Sequence, residues 1–300
     1  MARYNWKNSK YYNNFDKNRE LIVKLNKDGK NLKEIAEIIN IPHRVFSEFV
    51  KFENMSLKKA FTYNICDDYF DNMCSELQFY LIGYFIADGC ITCEEKRRKG
   101  TVYSKSYRFS INVSEDDLEV INLFQTHVCN GKPIEHSNNQ SGVKFKRKPQ
   151  VKIRWISKQM FDTFYTYGIV PNKTLNCNFV FPEQWVKSPF FKDLIRGLID
   201  GDGHIGKSNL SVCLNSPLLA EQIISYFKTY ENYSGFQLLE KTGKTCKYWI
   251  LTINGGKLLL NEYLNKCYNT PYYLKRKRDN IEVNLRLRQG VESPQSIGSE

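Results

Sequence analysis

Residues 81–89 read LIGYFIADG, and residues 195–203 read IRGLIDGDG. Each is an apolar run with helical character that ends on aspartate followed by glycine. A carboxylate at a helix C-terminus faces the negative end of the helix dipole, which is mildly unfavourable. The chain makes this apparent mistake twice, with Asp88 and Asp202 separated by 114 residues (202 minus 88). Each run has a start signal. Ser75 followed by Gln78 has the spacing of a capping box. Ser188 suits an N-cap and Pro189 the first helical position. Gly89 suits the left-handed position that ends many helices.

Working outward, each phrase is followed by similar elements. After the first come a strand over YRFSINV (107–113), a helix opened by Ser114 with acids in its first turn, a strand over QVKIRWI (150–156), and a helix over 157–168 ended by Gly168. After the second come LSVCLN (210–215), a helix opened by Ser216-Pro217, the strand YWILTI (248–253) and a helix over 256–268. The chain thus contains a degenerate internal repeat, with CEEKRRKGTVYSK (93–105) as an extension in the first copy.

The repeated helices carry small residues four apart, Gly83 with Ala87 and Gly197 with Gly201. Positions i and i+4 share a face, and small residues there let two backbones approach. Helices packed on these faces bring Asp88 and Asp202 together. Two carboxylates forced together repel, so one takes a proton or a cation binds between them. Oxygen ligands with open positions suit Mg²⁺, and a hard cation on a basic surface suits phosphodiester hydrolysis. A lone Asp-Gly after a helix is usually a turn, and a lone pair of small residues usually packing; the duplication is what makes the pattern specific.

At these residues the chain resembles the single-chain, two-motif LAGLIDADG homing endonucleases. The resemblance spans roughly residues 75–285. It implies an α+β fold: two pseudo-symmetric αββαββα domains, 75–182 and 183–285, packed through their motif helices, with a connector at 57–74 and a tail at 286–300. The eighth position of each motif binds the metal in that family, which carries onto Asp88 and Asp202. The cofactor implied is Mg²⁺, with Mn²⁺ able to substitute. A basic residue near the end of each half carries onto Lys173, in GIVPNKT, and Lys277, in YYLKRKRD, with Lys275 the alternative. The implied activity is hydrolysis of both strands of a long double-stranded DNA target, leaving 3′ overhangs, by a monomer. The sixth motif position departs between copies, Ile86 in the first and Asp200 in the second. Arg196 stands where a small residue is usual.

The net charge of +12 and pI of about 9.1 suit a polyanionic partner. No apolar run approaches the ~18 residues of a transmembrane helix, and the N-terminus has no signal core. Nine scattered cysteines, an odd number, suit reduced thiols. The expectation is an intracellular, cytoplasmic protein with no membrane partner. Its many Asn, Lys, Ile, Tyr and Phe residues fit a phage, low-GC bacterial or organellar source.

Residues 1–56 read as a small all-α helix-turn-helix domain, with helices over 17–27, 31–40 and 43–54. Residues 1–60 hold 13 Lys and Arg against 7 Asp and Glu, a net of +6. Arg44, Ser47 and Lys51 share a face of the last helix. DNA contacts in the first half are expected from Arg108, Ser110, Asn112, Lys144, Lys146, Arg147, Lys148, Lys152 and Arg154. In the second half they are expected from Lys207, Asn209, Ser211, Gln237, Lys241 and Lys247. Two rival readings use the same fold: an intron RNA maturase, with host intron RNA as partner, and a non-catalytic helix-turn-helix DNA-binding regulator.

Overall fold

The computed structural model describes residues 9–28, 30–55, 57, 64–98, 100–137, 148–230, 234–243 and 246–287. The chain divides into two compact units, residues 1–63 and 64–300.

Among its described residues the N-terminal unit holds four helices, one more than the sequence predicts: α1 (Tyr12–Lys17), α2 (Arg19–Lys27), α3 (Leu32–Ile38) and α4 (His43–Phe52). The helix missed is α1. Its YNNFDK has only two apolar residues, too few to show a period. Those two are buried, and Phe15 lies 5.2 Å from Phe49 and 5.7 Å from Phe46, ring centre to ring centre. Asn31 and Glu34 form a capping box at the start of α3. Between α3 and α4, Asn40 takes φ of 54°, a left-handed position that asparagine tolerates better than most residues. On α4, Arg44 is exposed, Ser47 donates to the His43 carbonyl (2.9 Å), and Lys51 pairs with Glu48 (2.7 Å).

The larger unit opens with β1 (Asn64–Ile65) and then α5 (Glu76–Asp88). It continues with β2 (Gly89–Arg98), β3 (Thr101–Ser114), α6 (Leu118–His127), β4 (Cys129–Asn130), β5 (Glu135–Ser137), β6 (Gln150–Ile156), α7 (Lys158–Thr166) and α8 (Glu183–Val186). The second half runs through α9 (Phe191–Asp202), β7 (Gly203–Ile205), β8 (Asn209–Leu214), α10 (Pro217–Tyr230), β9 (Phe236–Thr242), β10 (Lys247–Asn254), α11 (Gly256–Cys267) and α12 (Lys275–Leu287). Two four-stranded antiparallel sheets result, ordered β2-β3-β6-β5 and β7-β8-β10-β9. Numbered in chain order within the sheet itself, each four-stranded sheet has its strands in the order first, second, fourth, third. The 93–105 extension is the long hairpin of β2 and β3. The middle of the 57–74 connector is tied down by β1, which pairs with β4.

Alternation decides which face of each sheet is covered. Phe109, Ile111, Val113, Val151, Ile153 and Trp155 are buried on one side of the first sheet. Leu210, Val212, Leu214, Leu251 and Ile253 do the same in the second. The opposite faces carry the polar residues.

Helix α5 starts as expected, with Ser75 accepting from the Gln78 amide and the Gln78 side chain accepting from the Ser75 amide. Helix α9 does not. It starts at Phe191, with Phe190 as N-cap, two residues beyond Pro189. Ser188 instead closes a separate turn, accepting from Phe191 N–H (3.1 Å) at its carbonyl and from Phe190 N–H (3.2 Å) at its hydroxyl. The helix ends also differ from expectation. Gly89 (φ −75°, ψ 152°) and Gly203 (φ −89°, ψ 163°) are extended, not left-handed. Each helix passes directly into a strand. Glycine is required by crowding: a Cβ on Gly89 would lie 2.5 Å from the Phe85 carbonyl oxygen, and one on Gly203 2.5 Å from that of Ile199.

Candidate active site at the paired helix ends

Helices α5 and α9 pack on their small residues. A Cβ at Gly83 would fall 2.2 Å from Leu194 O, and one at Gly197 2.2 Å from Tyr80 O. At Gly201 it would fall 2.4 Å from the Ala87 Cβ and 3.2 Å from Asp88 Oδ2. The four small residues therefore lie in the helix contact, and the end of α9 runs beneath the Asp88 carboxylate.

Asp88 and Asp202 meet at these ends. Burial, and then the charge of Asp202, push the Asp88 carboxyl up to about 6. Asp202 reaches solvent, yet the protein packed around it also raises its carboxyl; Lys173 and Lys277 pull the other way. Both lysines sit at helix ends. Lys173 donates to the carbonyls of Ile86 and, at 2.8 Å, Ala87. Lys277 donates to the carbonyl of Gly203. Cationic groups thus face the negative end of each dipole, which offsets the misfit of an aspartate there. Burial lowers the affinity of both ammonium groups for a proton. Of the two candidates in the second half, Lys277 is 6% exposed and reaches the site, while Lys275 lies on the surface. A cavity of about 160 Å³ beside Lys173 and Asp202, lined also by Cys213, Asn215 and Tyr248, keeps room for water at the first of these ends.

The two residues that depart from the motif have structural work. Asp200 is fully buried and accepts three hydrogen bonds: from Tyr80 O–H (2.9 Å), Tyr268 O–H (2.5 Å) and Leu274 N–H (2.8 Å). It ties α5 to the segment between α11 and α12 and points away from Asp202's role. Arg196 is 1% exposed. It donates to Asp193 (2.7 Å), to Glu76 at the start of α5 (3.2 Å) and to the Cys267 carbonyl. Its guanidinium also lies 5.0 Å from the Tyr80 ring centre. A long cation therefore laces three helices together.

The polar sheet faces carry most of the expected DNA contacts. Ser110 lies opposite Arg154, and Asn112 opposite Lys152. Ser211 and Gln237 both lie opposite Thr252, Asn209 opposite Asn254, and Lys241 opposite Tyr248. Lys207 is exposed in the turn between β7 and β8. Lys247 departs from the set: it shares the side of Leu251 and Ile253, and pairs with Glu240 (2.6 Å). Several of the cations are held by acids: Arg108 by Glu94 (2.6 Å), Arg154 by Glu135 (2.7 Å) and Lys148 by Asp116 (2.5 Å). Each such exposed pair is worth only ~1 kcal/mol or less, so these side chains are held weakly. Lys144, Lys146 and Arg147 lie outside the described residues.

The raised Asp88 carboxyl has a measurable consequence. A folded-state value above the ordinary 3.8 favours the protonated form in the fold. That contribution to stability is complete below about pH 4 and is lost as pH rises through about 6. Without added metal, thermal unfolding is therefore expected to move to lower temperature over that window. Asp88→Asn flattens the dependence, and an unchanged slope in that variant counts against a raised Asp88.

No known family profile and no curated protein matches the chain. Among solved structures it is similar to I-SmaMI bound to an uncleaved DNA target in the presence of calcium ions, at 11% identity and a TM-score of 0.48, over 73% of this chain and 93% of that one. It is similar to I-DmoI in complex with DNA and calcium, at 13% identity and 0.44, over 69% of this chain and 97% of that one. It is also similar to the homing endonuclease I-WcaI bound to its DNA recognition sequence, at 14% identity and 0.44, over 71% of this chain and 90% of that one.

Proposed function

We propose that the chain is a site-specific DNA endonuclease of the LAGLIDADG homing type, built from two pseudo-symmetric αββαββα halves. One observation carries this reading: Asp88 and Asp202 share a packed pair of helix ends, with half-buried Lys173 attending one end and buried Lys277 the other. The N-terminal unit is a helix-turn-helix module that adds DNA contacts, and the protein acts as a monomer on double-stranded DNA.

The site fits a divalent cation. Its donors are carboxylate oxygens, and burial, with the charge of Asp202 added, lets Asp88 hold its proton to about 6. Among the described residues no third His, Cys, Asp or Glu joins them. That leaves coordination positions for water and phosphate oxygen, as Mg²⁺ prefers, and Mn²⁺ has similar tastes. Bound there, the cation supplies charge stabilisation and an acidified water for phosphodiester hydrolysis.

The chain's own residues do the rest. Asp88 and Asp202 bind in their ionised forms and fix where the reacting phosphates lie. Lys173 and Lys277 hold positive charge beside them, suited to an in-line transition state whose phosphate oxygens gain charge. The polar faces of the two sheets follow the duplex, with Arg108, Arg154 and Lys241 exchanging protein partners or solvent for phosphates and base edges. Asp200, locked in its three hydrogen bonds, supports the site without touching the reaction.

The deciding experiment uses DNA that joins the sequences flanking the gene, with the gene itself removed. Incubation with Mg²⁺ or Mn²⁺ is expected to give one double-strand cut with 3′ overhangs, lost on adding chelator. Specific binding with no cut in either metal would mean a non-catalytic regulator. Protein-dependent splicing of a host intron, without cutting, would mean a maturase.

A further inference from the structure

Each lysine-bearing segment is anchored by the opposite half. Lys173 belongs to the end of the first half, yet its backbone is held from the second. Asn215, the residue directly after β8, donates from Nδ2 to the carbonyls of Lys173 (2.6 Å) and Asn176 (2.9 Å). Lys277 belongs to the end of the second half, in the first turn of α12. Its neighbours are held from the first half. Asp117 accepts from Arg276 at 2.5 and 2.8 Å, and Glu119 accepts from the Lys275 N–H at 2.6 Å. Asp117 is 5% exposed and lies in the short 3-10 turn directly after β3. Both anchors thus come from the corner where the second strand of a sheet turns into a helix. The corner of one half fixes the lysine of the other.

We infer that Asn215 and Asp117 are positioning residues for Lys173 and Lys277, and that they make each half of the site depend on its partner half. The inference rests on the reaction proposed above for its effect on cleavage, and on geometry alone for its effect on the lysines. Both residues bind the lysine-bearing segments through backbone carbonyls or the neighbouring arginine, not through the ammonium groups themselves. Each acts by limiting how far an ammonium group can drift from Asp88 and Asp202. A misplacement of ~1 Å in a catalytic group costs up to about 100-fold in rate. Lys173 and Lys277 contact different helix ends, so one anchor should govern one DNA strand and the other anchor the other strand.

Three variants test this: Asn215→Ala, Asp117→Asn and Arg276→Gln, the last removing the Asp117 contact from its other side. Thermal melting first identifies which of them fold. The first measurement needs no DNA. The free protein is treated briefly with an amine-acetylating reagent, and labelling at each lysine is read by mass spectrometry. Asn215→Ala is expected to raise labelling of Lys173 severalfold and leave Lys277 unchanged. Asp117→Asn and Arg276→Gln are expected to do the reverse. The second measurement follows both strands of the flank-joined duplex, each with its own end label, in Mg²⁺. Each variant is expected to slow one strand by roughly 10- to 100-fold, with nicked duplex accumulating, and Asn215→Ala should slow the strand that the other two spare. Equal slowing of both strands, or labelling that rises at both lysines or at neither, overturns the inference. If the unmodified protein cuts no DNA, the proposed function fails, and the labelling alone still decides whether these residues hold the lysines.

Discussion

Asp88→Asn and Asp202→Asn are each expected to abolish double-strand cleavage while leaving DNA binding intact. Each removes one of the two carboxylates that a divalent cation would use, and among the described residues no third acid is available to replace it. The expected loss is at least ~1,000-fold in rate, about 4 kcal/mol of transition-state stabilisation. Asparagine keeps the shape, so the contact of Asp88 with Gly201 survives. Burial is the larger cause of the raised Asp88 carboxyl, and the repulsion from Asp202 that adds to it disappears in either variant. The metal-free variants should therefore melt at or above the temperature of the unmodified chain near neutral pH. Strand-resolved cleavage assays and binding titrations in Ca²⁺ measure the two halves of this result. A variant that still cuts at a tenth of the normal rate would remove its aspartate from the proposed metal site.

Gly197→Ala is expected to be, with Gly83→Ala, among the most destabilising single-methyl additions at the described glycines. Its new Cβ would lie 2.2 Å from Tyr80 O and 2.7 Å from Tyr84 N, both backbone atoms of the opposing helix. Backbone cannot rotate aside as a flexible side chain can, so α5 and α9 must separate. Separation would also stretch the Tyr80 contact with Asp200 and the Arg196 contact with Glu76, which span the same two helices. We expect ~4 kcal/mol or more, beyond ordinary overpacking, against a typical total stability of ~5–15 kcal/mol. Gly131→Ala is the control. That glycine has φ of 78° with nothing within 4 Å of the added methyl, so it should cost only the left-handed penalty of about 1 kcal/mol. Chemical denaturation of both variants gives the comparison. A Gly197→Ala cost no larger than that of Gly131→Ala would mean that the helices are not in close backbone contact.

The pairing of two alternating sheets with two apolar helices was legible because hydrophobic period and cap residues are local properties. The repeated Asp-Gly endings were legible for another reason: one carboxylate at a helix end is ambiguous, but two at matched positions are not. Conversely, α1 was hidden because two aromatic residues make a helix only when Phe46 and Phe49 wait to receive them. The position of α9's start was misjudged because Ser188-Pro189 is equally good chemistry for a turn, and chain direction at that point is set by packing.

What the sequence determined by itself is the set of small residues, the two aspartates, and the alternation that leaves one face of each sheet polar. Those follow from side-chain size, charge and period along the chain. The lysines near each half's end were implied only by the family resemblance. What only the tertiary structure decided is how distant residues divide the labour. Ile86 and Asp200 occupy the same motif position, yet one fills a core and the other accepts three hydrogen bonds from two other segments. Arg196 reads as an anomaly in a motif until Asp193, Glu76 and the Cys267 carbonyl surround it. Asn215 and Asp117 carry no signal in the sequence at all, since each is an ordinary polar residue at a strand end or a helix start. Their roles depend on contacts across 39 to 159 residues of chain. No local pattern encodes a separation of that kind; it is set when the two halves pack.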